Sequence, residues 1–177
     1  MTPPFRERLL AVAQHYADAH VKEQGGNNRG PEVDHFLRVV DVPPGEPWCA
    51  AAVVTWACEA YLKSINDTTP TAEDFKHAKI WLGLNYFAPS PAVALIEANA
   101  KKRGIFWNKA WTPTPGSLVI YHFPTGSHIG VVVKDRGPTL DTIEGNTSDG
   151  NARDGDGVFA RTRDKKYVAG YVDLGNQ

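Results

Sequence analysis

The chain has 177 residues, of which 42% are hydrophobic and 22% charged, and this composition fits one globular domain, spanning residues 1–177, with a single core. Nineteen basic and twenty acidic residues give a formal net charge of −1, so we expect neither nucleic acid nor a membrane as a partner. An apolar run of about 20 residues and a signal-peptide pattern are both absent, so we expect synthesis in the cytoplasm without a signal peptide.

The first half of the chain predicts helices. Apolar residues recur at helical spacing in the segments 5–21, 31–40, 49–62 and 91–103. The segment 49–62 is apolar nearly all round, which indicates a central, buried helix. The segment 64–75 is polar and interrupted by proline, so we interpret it as an insertion between helices.

From Gly116 onward the pattern changes to short strands separated by Gly, Pro and Asp turns. The predicted strands are 118–123, 128–134, 140–144, 157–162 and 167–172. Helices followed by strands favour an α+β fold, with N-terminal helices packed on one face of a C-terminal antiparallel sheet of about five strands.

Cys49 lies at the predicted start of the central helix. The unpaired N–H groups and the positive end of a helix dipole stabilise a thiolate over a thiol, which favours a nucleophilic role. The alternative is that Cys49 is a small buried apolar residue. Cys58 follows nine residues later, about 13.5 Å along the same helix. That separation exceeds the roughly 7 Å that a disulfide allows between Cα atoms, so we expect two free thiols.

A histidine and two polar residues lie on predicted strands downstream of Cys49. Side chains alternate along a strand, so His128 and Gly130 share a face, and the missing side chain at Gly130 leaves room beside His128. By the same rule Glu144 and Asn146 face the same way, so both can reach the imidazole if their strand pairs with the His128 strand. A single strand histidine is commonly structural, but the cysteine and the polar pair together favour His128 as a base.

Four short segments carry a resemblance to a known family. They are Pro-Trp-Cys at 47–49, Pro-Gly-Ser-Leu-Val-Ile at 115–120, His-Ile-Gly-Val-Val at 128–132 and Glu-Gly-Asn at 144–146. Together they resemble the CHAP family, the cysteine, histidine-dependent amidohydrolases/peptidases of the NlpC-type papain-like superfamily, over about residues 25–173. Relatives commonly have Asp where Ser117 stands, a difference that affects a turn contact and not the chemistry.

The resemblance implies a papain-like fold and a peptidoglycan amide hydrolase, either an endopeptidase or an N-acetylmuramoyl-L-alanine amidase. It implies Cys49 as nucleophile, His128 as base, and Glu144 and Asn146 as the polar third and fourth residues. The partner would be peptidoglycan or its stem peptides, and a monomeric protein would act on the cell wall after release or export. The chemistry implied requires no cofactor.

Further residues are candidates for substrate contacts. We expect Trp48, Trp107, Trp111 and His122 on the substrate side of the cleft. The alternatives are that Trp107 and Trp111 form the edge of the core and that His122 is an exposed residue at the rim. Of the other histidines, His15, His20 and His35 lie on helices before Cys49 and His77 lies near the polar insertion, so His122 is the main rival to His128.

A metal site is not predicted. Asp149, Asn151, Asp154 and Asp156 lack the spacing of a calcium-binding EF-hand loop and are interpreted as turn residues. No His/Cys pair has the spacing of zinc ligands.

Two other functions remain open from the sequence. One is a non-catalytic wall-binding or partner-binding module on the same fold, with Cys49 simply buried. The other is a cysteine acyltransferase or a protein-directed amidohydrolase effector, because substrate choice depends on a pocket shape that the sequence does not reveal.

Overall fold

The computed structural model describes residues 3–65, 69–148 and 155–175. The described helices are α1 (Phe5–Asp18), α2 (Pro31–Val39), α3 (Cys49–Leu62), α4 (Ala72–Asn85) and α5 (Val93–Lys102). The described strands are β1 (Phe106–Asn108), β2 (Leu118–Phe123), β3 (Gly126–Asp135), β4 (Thr139–Thr147), β5 (Gly157–Asp164) and β6 (Val168–Val172), with a 3-10 turn at Lys165–Tyr167 before β6. The α+β class predicted from the sequence is confirmed.

The strands form one antiparallel sheet in the order β1-β6-β2-β3-β4-β5. The described residues thus contain six strands where about five were predicted. The additional strand, β1, has three residues and pairs with β6 at the sheet edge, and three residues are too few to show a period-2 pattern. None of the described helices is long and apolar enough to cross a membrane.

Helix α3 is the central helix, as its apolar sequence predicts. Twelve of its fourteen residues are buried, and it packs against α1, α2 and α4 on one side and against β3 and β4 on the other. The main hydrophobic core lies between these helices and one face of the sheet. A smaller cluster on the other sheet face contains Val119, Tyr121, Val132, Leu140, Val168 and Tyr171.

Helix α4 corrects the interpretation of 64–75 as an insertion only at its end, because the helix includes the last four residues of that segment. Thr71 and Asp74 form a capping box: the Thr71 hydroxyl accepts from the Asp74 amide and the Asp74 carboxylate accepts from the Thr71 amide. Ile80 and Leu84 on this helix are 56% and 71% exposed. These exposed apolar residues obscure the helical stripe on which a sequence prediction depends.

The turn that enters β2 has its own contacts. Ser117 is fully buried, and its hydroxyl oxygen lies 3.2 Å from that of Thr114. The Ser117 carbonyl accepts from the Val132 amide at 2.8 Å. A pair of hydroxyl groups therefore supplies the side-chain contact in this turn.

Gly145 allows β4 to pack closely on the start of α3. A Cβ atom at Gly145 would lie 2.8 Å from the Ala52 Cβ and 2.8 Å from a ring carbon of Trp48. Both neighbours are fully buried, so neither has free space to move into. The glycine in Glu-Gly-Asn thus sets the distance between the sheet and the helix that carries Cys49.

We expect Gly145→Ala to lower the free energy of unfolding by about 1–3 kcal/mol, because the added methyl overpacks this contact. Urea denaturation measures the change. Gly83→Ala on α4 is the matched control: its Cβ meets only the Pro89 Cδ, at the ordinary distance of 3.5 Å. Equal stability of the two variants would contradict the packing argument.

Candidate active site

Cys49, His128 and Asn146 line one surface pocket. Its wall is formed by the loop before α3, the β2–β3 turn, and the ends of β4 and β5. The lining residues are Asn28, Pro47, Cys49, Phe123, Pro124, Thr125, Gly126, Ser127, His128, Asn146, Thr147, Arg163 and Tyr167. The structure therefore brings together three residues that are separated by 97 positions in the chain, from 49 to 146.

Cys49 is the first residue of α3 and is 9% exposed. The Ala52 amide donates to the Trp48 carbonyl at 2.9 Å, so the amides of Cys49, Ala50 and Ala51 have no acceptor within the helix. The thiol thus lies at the positive end of a helix dipole. Cys58 is also free but fully buried, and burial raises the pKa of its thiol to about 12.

His128 lies between Cys49 and Glu144. Its Nε2 is 3.0 Å from the Glu144 Oε2, which leaves Nδ1 for the thiol. Burial lowers the pKa of the imidazole, but hydrogen bonds to Cys49 and Glu144 outweigh burial and raise the His128 pKa to about 10. The ring also lies opposite Tyr121 in the β2–β3 ladder, with ring centroids 6.3 Å apart. This environment favours the imidazolium form.

Glu144 is a fully buried carboxylate with several hydrogen-bond donors. Besides His128, the Thr142 hydroxyl donates to Oε1 at 2.7 Å, and the Arg163 guanidinium donates to both oxygens. Burial alone would raise the pKa of Glu144, but His128 and Arg163 lower it to about 2. A Cβ at Gly130 would lie 2.7 Å from the Glu144 Cγ, so the space that the sequence predicts beside His128 holds the Glu144 side chain.

Asn146 has different partners from those expected. Its φ of 53° is left-handed, and the β4–β5 register shifts between Glu144 and Thr147, so the period-2 alternation fails at this point. The Asn146 side-chain amide is oriented so that it makes two hydrogen bonds. Its oxygen accepts from the Trp48 backbone amide at 3.1 Å, and its nitrogen donates to the Gly155 carbonyl at 3.0 Å. Asn146 thus holds the start of α3, and Glu144 holds the imidazole.

The structure corrects the expectation for Trp48. This side chain is fully buried, and its indole N–H donates to the Glu23 carboxylate at 2.9 Å. The other Glu23 oxygen accepts from the backbone amide of Asn28 at 2.8 Å. Trp48 therefore packs beneath the pocket and connects it to the preceding loop, and its ring has no surface that a substrate can contact.

The other residues expected on the substrate side lie outside the set that lines the pocket. Trp107 and Trp111 stack with ring centroids 5.8 Å apart, and Trp107 on edge strand β1 is 46% exposed. His122 is an exposed residue whose Nε2 lies 2.8 Å from the Glu97 carboxylate on α5. The Trp pair and His122 thus have partners of their own, away from Cys49.

Arg163, Thr142 and Tyr167 belong to the site or support it, although they are not among the residues predicted from the sequence. The predicted strand 157–162 ends one residue before Arg163, whereas β5 continues to Asp164. Arg161 and Arg163 alternate with Thr162 along this strand, and that alternation is the signal in the sequence. A pair of arginines in an edge strand is common on solvated surfaces, so the pattern alone does not indicate a buried partner.

The residues considered for calcium mostly lie outside the described part of the chain. Asp149, Asn151 and Asp154 fall there, whereas the Asp156 carboxylate is 3.9 Å from the Lys22 ammonium. Among the described residues no group of three or more His, Cys, Asp or Glu is arranged to hold a metal ion.

Comparison with known proteins finds no family model that matches this chain and no curated protein that is similar to it in sequence.

The ionised Glu144 should contribute to stability in a defined pH range. Its pKa of about 2 in the folded protein is below the unfolded value of about 4.3, so its contribution is present above pH 4.3 and is lost as the pH falls towards 2. We expect the free energy of unfolding to fall less steeply over this range in Glu144→Gln than in the wild type. Glu7→Gln, which removes an exposed carboxylate on α1, is the control and should change the slope less than Glu144→Gln does. Equal slopes for wild type and Glu144→Gln would contradict the prediction.

The contact between Asn146 and the Trp48 amide can be tested by hydrogen exchange. Asn146→Gly tolerates the left-handed backbone but removes the acceptor, so exchange at the Trp48 amide should accelerate roughly fivefold, the factor for a hydrogen bond worth about 1 kcal/mol. Asn146→Asp keeps a side-chain acceptor and should keep the protection. Wild-type exchange in Asn146→Gly would show that Asn146 does not hold the start of α3.

Proposed function

We propose that this protein is a CHAP-type cysteine amidohydrolase that cleaves an amide bond in peptidoglycan. The observation that supports the proposal most directly is the placement of the Cys49 thiol. It lies at the start of α3 in the same pocket as His128, whose imidazole is paired with the buried Glu144 carboxylate. A nucleophile, a base and an orienting anion in this order are the components of covalent acyl transfer.

In the first half of the reaction the Cys49 thiolate attacks the amide carbonyl carbon while His128 carries the proton. The first-turn amide of Cys49 has no helical acceptor and donates to the oxyanion that forms. The C–N bond then breaks, the imidazolium gives its proton to the departing amine, and an acyl-thioester remains on Cys49.

In the second half, neutral His128 removes a proton from water, and the resulting hydroxide attacks the thioester. Collapse of the tetrahedral intermediate expels the Cys49 thiolate and releases a carboxylic acid product. The imidazolium is thereby restored beside Glu144. Throughout the cycle Glu144 accepts the Nε2–H and keeps the ring oriented, so that Nδ1 faces the thiol.

The resemblance of the four motif segments to the CHAP family supports peptidoglycan as the substrate class. The pocket has no acidic side chain among its described lining residues and includes several hydroxyl and amide groups, which suits a polar peptide. Of the two amide sites we favour one within the stem peptide, because an extended peptide fits a papain-like cleft. A thiolate attacks an amide without a Lewis acid, so the proposal includes metal-independent cleavage.

We expect purified peptidoglycan treated with the protein to yield new free amines and no new reducing sugar ends, with or without a chelator. Cys49→Ser should abolish the release of amines. Cys58→Ser is the matched control on the same helix and should keep most of the activity, because Cys58 is buried away from the pocket. Mass spectrometry of the products identifies the bond that is cleaved.

Several outcomes would contradict the proposal. New reducing ends would indicate glycosidic cleavage, and complete loss of activity in chelator would contradict metal-independent cleavage. Release of intact stem peptides that begin with L-alanine would place the cut at the sugar-to-peptide link and contradict only the preference for a bond within the stem peptide. A folded, soluble protein that leaves peptidoglycan unchanged while its Cys49 remains unreactive towards iodoacetamide would favour a binding module.

A further inference from the structure

The Arg163 guanidinium forms a bidentate ion pair with the buried Glu144 carboxylate. Its Nε lies 3.1 Å from each Glu144 oxygen, and its terminal NH2 group lies 2.6 Å from Oε2 and 2.9 Å from the Thr147 hydroxyl. The guanidinium also lies 5.8 Å from the centre of the Phe123 ring. Three neighbours therefore fix this side chain, and it reaches the pocket surface with 22% exposure while Glu144 has none.

The proposed reaction requires a second cation beside Glu144, in addition to His128. The charge on His128 is transient, because the imidazole gives up its proton to the departing amine. At that moment a buried carboxylate paired with His128 alone would lose its counter-charge, and an unpaired buried charge is costly. A guanidinium keeps its charge at every stage, since it does not lose its proton in proteins.

We propose that Arg163 is a positioning residue that keeps Glu144 ionised and in place while His128 changes its protonation state. The inference rests on the proposed function for its role in catalysis, whereas its structural part stands on the contacts of Arg163 alone. Arg163 acts through Glu144 and His128.

Each element packed against Glu144 supplies an identifiable group. His128 faces it from β3, Arg163 from β5, the Thr142 hydroxyl from its own strand and the buried Tyr121 phenol from β2. Cys49 lies beyond His128. Of these five groups only Arg163 is a fixed positive charge, and Arg163 together with His128 lowers the pKa of Glu144.

The first test measures the ionisation of Glu144 directly. A 13C NMR titration of the Glu144 carboxyl, assigned by its loss in Glu144→Gln, is compared between wild type and Arg163→Gln. Glutamine keeps an N–H donor but removes the charge, so we expect the midpoint of the Glu144 titration to rise by about 1–3 pH units. An unchanged titration in folded Arg163→Gln would overturn the proposal.

The matched control is Arg136→Gln. Arg136 forms a comparable pair with Asp141 at 2.6 Å, at the β3–β4 turn and outside the pocket lining. This control loses the same charge, so we expect it to leave the Glu144 titration at the wild-type position. A shift as large as that of Arg163→Gln would show an effect of net charge alone and would overturn the proposal.

Arg163→Lys separates charge from geometry and serves if Arg163→Gln does not fold. Lysine keeps the positive charge but lacks the planar fork that bonds both carboxylate oxygens. We expect Glu144 in Arg163→Lys to titrate at a pH between its values in wild type and in Arg163→Gln. If Arg163→Gln does not fold, Arg163→Lys is compared with wild type alone, and Glu144 should titrate at a higher pH than in wild type. Identical titrations of Arg163→Lys and wild type would show that the fork is dispensable and overturn the geometric part of the proposal.

A second readout distinguishes failure of this inference from failure of the proposed function. The pH dependence of Cys49 alkylation by iodoacetamide requires no knowledge of the substrate, and its acid limb should move to higher pH in Arg163→Gln. If peptidoglycan is a substrate, kcat should fall with KM close to wild type, and Arg163→Lys should restore part of kcat. A wild-type alkylation profile in Arg163→Gln would overturn the positioning role even if peptidoglycan is cleaved.

Discussion

The arrangement of this site depends on one buried carboxylate. Glu144 has no solvent exposure, so its charge persists only because protein donors replace water on both of its oxygens. The donors lie on β3, β4 and β5. Forming all of these hydrogen bonds therefore fixes the relative positions of the three strands. The imidazole orientation is therefore a result of sheet geometry, and an error in the pairing of any of the three strands would disturb it.

The thiol is positioned by a separate set of contacts that acts on the backbone of α3. Gly145 permits close packing of β4 against Trp48, and Asn146 accepts from the Trp48 amide one residue before Cys49. Consecutive residues of β4 thus hold the His128 imidazole, set the spacing to the helix and hold the start of the helix. The three residues of Glu-Gly-Asn thus divide these contacts between them.

Much of this arrangement was predictable from the sequence, because α3 and the longer strands have clear periodicities and carry Cys49, His128 and Glu144. The partners of Asn146 were not, because a left-handed residue at a register shift breaks the alternation on which the prediction relied. Arg163 was missed for a related reason: its contact with Glu144 joins two strands, and the local alternation of arginines does not indicate a buried partner. Trp48 looked like a cleft residue in sequence, but tertiary packing buries it.

The position of the two cysteines on one helix has a consequence for oxidative damage. A thiolate that reacts with peroxide becomes a sulfenic acid, which a nearby thiol normally converts into a reversible disulfide. Here Cys58, the chain's other cysteine, lies about 13.5 Å along the same rigid helix and is fully buried, so it cannot resolve such an adduct. Recovery of an oxidised Cys49 thus depends on a thiol supplied from outside the chain, and without one the next step is irreversible sulfinic acid.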